Sequence, residues 1–503
     1  MPSISRPPGR ARAIAPARLA ALACALTAAS AASAQAPPPS ASAAPSAPPP
    51  SPTAPSDRSL ADTLAQIQKL LSGFAFASYG RVIVGGDTTG RPGRDVDFVA
   101  RGSRLDESPY TELELRRLDE WDKTRCRTRI VTSLALGSPV FHYSGDFSAT
   151  IAIRNLFIEE KDLGIKRLSL WAGSRTYRGD DVYVLDFWPL DDLNTLGAGA
   201  RYELDDRGWT WMAVHAGVNR PNGLFFYQTS PRAGPLGPTM VEILNRQRTV
   251  GSLKLSHIFP VGAKGGVRGF LYGEVHGLSA GRRETGSEEF EHVPAEDGFV
   301  LGAQVGAFTG EHNTYLNVFF RYARGLAAYG ELGMPAQLGL DQTTAAASEL
   351  RVAFGGNYES GPFGLLAGGY VRSFRNASPA LDADDVDEGI LILRPHLFIG
   401  EKGGVAVEGS FQAQRRGRAL SQDRDTAEVP RGSMWRFGLI PFLSPGGRGD
   451  LSRPQFRMIY VLSVRDEGAR ALYAKDDVFA LRDVEHFLGV GAEWWFGLSG
   501  DRW

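Results

Sequence analysis

The chain has no run of 18 apolar residues outside its N-terminus, so no membrane-crossing helix is predicted. Cysteine is almost absent: of the two, Cys24 lies in the N-terminal apolar stretch, which leaves Cys126 alone and excludes an internal disulfide framework. The eight histidines are scattered, with no H-E-x-x-H pattern, so a metal site has little support and no cofactor is expected. No G-x-x-x-x-G-K-[ST] loop is present, and the glycine-rich segment 262–269 reads as a turn. Excess positive charge is lacking too. There are 55 Lys and Arg against 56 Asp and Glu, which argues against nucleic acid as a partner.

What is present comes in a clear order along the chain. Residues 1–34 read as a signal peptide, with Arg6, Arg10, Arg12 and Arg18 before an apolar core and Ala32-Ser33-Ala34 at the cleavage site. Its removal takes four positive charges and no acid, moving the net charge from -1 to -5. The context Ala21-Leu22-Ala23 before Cys24 is a poor lipid-attachment signal. Residues 35–58 are nearly all Pro, Ala, Ser and Gln, a composition that cannot bury a core and reads as an extended linker. In 59–72, Leu60, Leu64, Ile67 and Leu71 recur at helical spacing. A short periplasmic helix is expected there, either a cap or a piece of coiled coil.

From Phe74 onward the apolar period drops to two. Tyr110, Glu112 and Glu114 alternate with Thr111, Leu113 and Leu115; Glu493 and Trp495 alternate with Ala492, Trp494 and Phe496. Nine strands are predicted near 74–85, 110–119, 126–136, 148–160, 166–174, 195–205, 209–218, 249–258 and 266–277. Nine more are predicted near 297–308, 314–324, 347–358, 362–374, 387–399, 402–413, 434–443, 453–465 and 486–496. Their separators are either short, such as Gly361-Pro362, or long and polar, such as 219–247 and 414–433. Eighteen strands of about ten residues, short turns alternating with long loops, and a mean hydropathy of only -0.18 fit an all-β, 18-stranded antiparallel transmembrane barrel over 73–503. A soluble all-β protein is the competing class.

The stretch Leu170–Trp188 is dense in aromatics, arginines and aspartates. A strand ending near Gly173 is predicted, followed by a loop carrying Arg175, Arg178, Asp180, Asp181 and Asp186. Such charges are costly to bury dry, so the loop belongs either in a wet channel or on the solvated surface. Elsewhere two residue sets interleave. One is charged: Arg81, Arg104, Glu112, Arg154, Asp181 and Asp186. The other is aromatic: Tyr79, Tyr110, Tyr315 and Trp495. Aromatic faces stack on pyranose rings while charged groups replace water on the hydroxyls; each tyrosine alone is equally explained by barrel packing or an interfacial belt.

The chain resembles the maltoporins, trimeric 18-stranded sugar-specific porins, over about residues 74–496. The resemblance rests on Tyr79-Gly80-Arg81, Tyr110-Thr111-Glu112-Leu113, Trp171-Ala172-Gly173-Ser174-Arg175, Asp181–Phe187, Leu393-Arg394-Pro395, Ser452-Arg453-Pro454 and Glu493-Trp494-Trp495-Phe496. The N-terminal helix is similar to that of sucrose porins. The resemblance implies an aromatic slide of Tyr79, Tyr110, Tyr315 and Trp495. It implies a polar constriction of Arg81, Arg104, Glu112, Arg154, Arg178, Asp181 and Asp186, with Trp188 where a tyrosine is usual. It also implies a homotrimer in outer-membrane lipid that passes oligosaccharides and performs no catalysis. The chain departs from the family pattern at Gly179, at Leu451, in a short loop with only Phe141, Tyr143 and Phe147, and in the extension Gly497–Trp503. A general diffusion porin is the alternative.

Overall fold

The computed structural model describes residues 73–88, 96–137, 150–286, 289–311, 313–335, 338–378, 385–417 and 431–497. The signal peptide, the linker, the helix expected over 59–72, the aromatics of 138–149 and residues 498–503 lie outside the described residues.

Among the described residues there are 22 strands. The first seven are β1 (Phe74–Gly86), β2 (Tyr110–Trp121), β3 (Cys126–Gly137), β4 (Thr150–Lys161), β5 (Leu168–Arg178), β6 (Asp192–Glu203) and β7 (Thr210–Asn219). Next come β8 (Tyr227–Gly234), β9 (Gly237–Asn245), β10 (Arg248–Val261), β11 (Gly265–Leu278), β12 (Gly281–Gly286), β13 (Glu289–Val293) and β14 (Glu296–Phe308). The last eight are β15 (Tyr315–Gly325), β16 (Ser348–Ser360), β17 (Phe363–Arg375), β18 (Val386–Ile399), β19 (Gly403–Arg416), β20 (Arg431–Leu443), β21 (Gln455–Arg465) and β22 (Val484–Phe496). Eighteen of them form one antiparallel sheet in which each strand pairs with the next, and β22 pairs with β1 to close it. All 18 expected strands are found. The other four are the hairpins β8–β9 and β12–β13, which stand within two long loops.

The alternation explains the wall. Outward positions such as Leu113, Leu115, Ile151, Ile153, Leu271, Leu301, Leu391 and Val490 are apolar and exposed on the isolated chain. Phe74, Phe76, Phe363, Phe456 and Phe496 gather near the short-turn rim, and Trp435 and Phe437 near the long-loop rim. This is the apolar band with aromatic girdles that a bilayer selects. Inward positions carry charge, as in Glu159, Lys254, Arg321, Glu349 and Arg436. One bulge adjusts the parity. Between Ser133/Asn155 and Leu134/Ile153 the register shifts, and Arg154 is the extra residue. Strict alternation from inward Phe157 and Glu159 would turn Arg154 outward. The extra residue turns it inward, where it reaches Tyr110.

Of the described loops that pack into the lumen, two shape the site. The loop after β5 carries a short helical turn at Tyr183–Leu185, closed by a bridge between Val182 and Phe187. Its charges are only half its character. Val182, Val184, Leu185, Phe187 and Leu190 are fully buried against Phe319, Ala353, Leu366, Tyr370 and Ile392 of the inner wall. Each such burial contributes about 1.5–3 kcal/mol. Glycines make the seat: a Cβ at Gly368 would stand 2.6 Å from Val182 and 2.7 Å from Val184. The expected strand end near Gly173 is corrected. β5 continues to Arg178, because its pairing with β6 runs unbroken to Arg178–Asp192, so Arg175 and Arg178 stand on the strand.

The second infolded segment is 96–109, after β1. Asp97 accepts from Arg436 at 2.8 Å, Asp106 pairs with Arg436 at 2.7 Å, the Ala100 N–H donates to Glu388 at 3.1 Å, and Gln414 donates to the Phe98 carbonyl at 2.8 Å. Leu105 anchors its far end among Ile440, Ile459 and Phe487.

An unpaired carboxylate placed in the apolar seat should release the loop after β5. Val184→Asp is expected to raise single-channel conductance while the barrel still migrates as a folded, heat-modifiable band. Unchanged conductance would show that the apolar seat does not hold the loop in the channel.

Candidate functional site

The seam where β22 meets β1 sets Tyr79 opposite Trp495 and Arg81 opposite Glu493. Glu493 is the hub. It accepts from Arg104 at 3.1 Å, from Arg453 at 2.8 Å, from the Tyr183 hydroxyl at 2.8 Å, and from Arg457. Three guanidiniums around one buried carboxylate hold Tyr183, from the loop after β5, against the seam. Arg81 pairs with Asp186 at 2.9 Å and with Glu107 at 3.2 Å. Arg104 donates to the Tyr79 hydroxyl and, at 3.1 Å, to the Tyr183 carbonyl. On the neighbouring side Arg154 pairs with Glu112 and donates to the Tyr110 hydroxyl at 2.6 Å.

The structure thus brings together Tyr79, Tyr110, Trp495, Arg81, Arg104, Glu112, Arg154 and Asp186. The Tyr79 and Tyr110 rings are 6.1 Å apart, and Tyr183 stands edge-on to Trp495 at 6.0 Å. Tyr315 faces inward at the short-turn end of β15, within electrostatic reach of Asp181 and Tyr183 but in no ring contact with the other three. Arg178 pairs with Asp192 at 2.5 Å and covers Trp188, its guanidinium 3.8 Å from the ring centroid. Both line a cavity of about 420 Å³ on the long-loop side of the constriction.

Tyr183, Glu107, Arg453 and Arg457 complete the constriction; Tyr183 and Arg453 lie in the motifs that carry the resemblance, but none of the four was given a site role from sequence. Their signal was weak, because Tyr183, Arg453 and Arg457 act on Glu493 and Glu107 acts on Arg81 as well as on nearby Arg104. Val96, Phe98, Val99 and Leu105 were a usable signal for the inward course of 96–109, being apolar residues in an otherwise polar gap. Two departures from the resembled pattern have physical reasons. A Cβ at Gly179 would stand 2.5 Å from Asp191, which is buried with Lys254 as its partner. Leu451 packs against the apolar cluster that seats the infolded loop. The spacing G-x-S-x-G does occur at Gly277-Leu278-Ser279-Ala280-Gly281, but it joins two strands, not a strand and a helix, so it has no elbow geometry. Among the described residues no group of His, Cys, Asp or Glu is arranged to hold a metal ion.

The loop acids differ in charge state. For Asp186, burial raises the carboxyl but Arg104 and Arg81 outweigh it, and the group is held below the ordinary range. Asp180 is paired with Arg268. Asp181 has no ion-pair partner among the described residues; burial pushes it up to about 6, against the opposing pull of Arg104.

A closed antiparallel barrel with an apolar outer band, aromatic girdles and a lumen narrowed by infolded loops defines a channel-forming, multi-pass protein of the outer membrane. The LamB porin family model matches residues 74–496, and the chain belongs to that family. No curated protein matches it by sequence. It is similar to several solved structures. OprB of Pseudomonas putida has 12% identity, with 86% of this chain and 97% of that chain covered and a TM-score of 0.39. OccD3 (OpdP) of Pseudomonas aeruginosa has 10% identity, with 85% and 92% covered and a TM-score of 0.36. Wzi of Escherichia coli, a carbohydrate-binding β-barrel involved in capsule assembly, has 11% identity, with 87% and 89% covered and a TM-score of 0.37.

Asp181 supplies a pH test. Below about pH 6 it is neutral, and above it the lumen gains one negative charge. Cation preference, read as reversal potential in a KCl gradient, is expected to rise between pH 5 and 7. Asp181→Asn should remove that step; a variant with the same pH curve as wild type would exclude Asp181 as its source.

Proposed function

We propose that the channel passes sugars, oligosaccharides of maltodextrin type, by binding them in the constriction, as a homotrimer and without catalysis. The observation that supports this is the alternation at the seam of ring pairs, Tyr79–Tyr110 and Tyr183–Trp495, with ion-paired arginines and carboxylates. A pyranose has an apolar face and a rim of hydroxyls, and this arrangement offers a surface for each. Arg81, Arg104, Glu112, Arg154, Asp181 and Asp186 would serve the hydroxyls. Tyr79, Tyr110, Tyr315 and Trp495 would serve the rings.

A general diffusion porin is the second reading, and one observation favours it. Guanidiniums already lie over three of the four rings at the seam: Arg453 is 4.3 Å from the centroid of Trp495, Arg104 is 4.9 Å from that of Tyr183, and Arg81 is 5.5 Å from that of Tyr110. A sugar would have to displace them.

Planar-bilayer current with added sugars separates the two. Saturable block by maltose through maltohexaose is expected, with Trp495→Ala weakening it about 2- to 13-fold, the equivalent of one aromatic stack at about 0.5–1.5 kcal/mol. Conductance that no sugar blocks would leave the general-porin reading.

Arg81→Ala should weaken sugar block and also shift ion preference toward cations, because it leaves Asp186 and Glu107 without that partner. Weaker block with unchanged reversal potential would remove Arg81 from the ion path.

A further inference from the structure

The cavity of about 420 Å³ above the constriction, within the range of small-molecule sites, is lined by Arg101, Arg154, Arg178, Arg321, Arg351 and Arg372. Only four carboxylates line it with them: Asp192, Glu274, Glu331 and Glu349. Three of the arginines form a row. Arg321 is the cross-strand partner of Arg351, and Arg351 is the cross-strand partner of Arg372. Like charges directly opposite on neighbouring strands weaken a sheet, and nothing in the barrel's closure calls for them.

All three converge on one carboxylate, Glu349, with Arg351 at 2.9 Å and Arg372 at 2.6 Å, and among the described residues only Arg372 of the three makes an ion pair with a second acid, Glu388 at 3.3 Å. Arg351 Nε is buried without an acceptor. Arg101 has no ion pair among the described residues; its guanidinium lies over the Phe187 ring at 5.7 Å, where Arg351 also lies at 4.9 Å.

The remaining acids do not restore the balance. Asp192 is taken by Arg178 at 2.5 Å; Glu274 accepts from Tyr272, contacts His276 and stands within electrostatic reach of Arg321, so it answers part of that one charge. Glu331 accepts from the Asn194 N–H at 2.5 Å and from Asn219 at 3.1 Å, and burial pushes it up to about 7, so at neutral pH it carries only part of its charge. Behind the loop of Glu331, Arg248 donates to the carbonyls of Gly330, Glu331 and Gly333 and stands within electrostatic reach of Glu331 and Glu274.

We infer that this vestibule is an anion subsite, and that the channel takes saccharides bearing a carboxylate or phosphoryl group in preference to neutral ones. The inference rests on the sugar-channel reading above. Arg101, Arg351 and Arg372 hold the anionic group, because guanidinium forks match a carboxylate or phosphate and strengthen where water is partly excluded. Phe187 and Trp188 border the same space beneath the guanidiniums of Arg101, Arg351 and Arg178.

The test is bilayer current in 0.1 M KCl with glucose, glucuronate and glucose 6-phosphate. Block by at least one anionic sugar is expected at about tenfold lower concentration than block by glucose. Arg101→Gln should bring the two levels together and leave maltose block unchanged; since Arg101 is exposed and unpaired, the variant should fold. Arg372→Gln, checked for the heat-modifiable band, should act in the same direction. Tighter block by glucuronate identifies a carboxylate site, and tighter block by glucose 6-phosphate a phosphoryl site. Conductance with equal block by all three sugars, or a preference that survives Arg101→Gln, overturns the inference and leaves the channel standing. Absence of conductance overturns the channel reading and the inference with it.

Discussion

Every backbone N–H and C=O in a bilayer must find its partner inside the protein, so a sheet that crosses it has to close. In this chain the closure is the pairing of β22 with β1, and the functional geometry depends on it. The seam sets Arg81 beside Glu493 and Tyr79 beside Trp495. Glu493 then collects Arg104, Arg453 and Arg457 from an infolded loop and from the segment leading into β21 and that strand itself. A barrel that failed to close would have neither a sealed wall nor a constriction.

Two of the described segments that narrow the lumen are held in different ways. The loop after β5 is seated by apolar burial, with wall glycines leaving room for Val182 and Val184. Segment 96–109 is held by Asp97 and Asp106 on Arg436 and by backbone donors and acceptors toward Glu388 and Gln414. Ion pairs in such a wall are safe only when each charge is answered, because an unpaired one in a dry site is expensive. In the row Arg321–Arg351–Arg372 three guanidiniums share Glu349, as three share Glu493 at the seam, but here they also stand in register on neighbouring strands, with Glu388 as a second acid for Arg372.

Much of the fold was legible because strand chemistry is local. One face of each strand meets lipid and the other meets the lumen, so alternation marked all 18 barrel strands within a few residues. Loop seating was less legible. Val182, Val184 and Leu185 do not alternate as a strand face or form a helix stripe, so their burial leaves no periodic trace. The bulge at Arg154 was equally hidden, since one extra residue inverts the facing of everything beyond it without changing composition. The resemblance placed Tyr79, Arg81, Arg104, Glu112 and Trp495 in one site. It included Tyr183 among its matched residues but gave it no role, because that role needs Glu493, 310 residues away in the chain.

By itself, then, the amino-acid sequence determined the strand count, the facing of each regular strand and the alternation of short turns with long loops, because period-two patterning is read within a few residues. Only the tertiary structure decided which loops turn inward, which arginine answers which acid, and where the positive charges remain unanswered. Those depend on closing an 18-stranded sheet, which brings together side chains hundreds of residues apart whose partners no local pattern specifies.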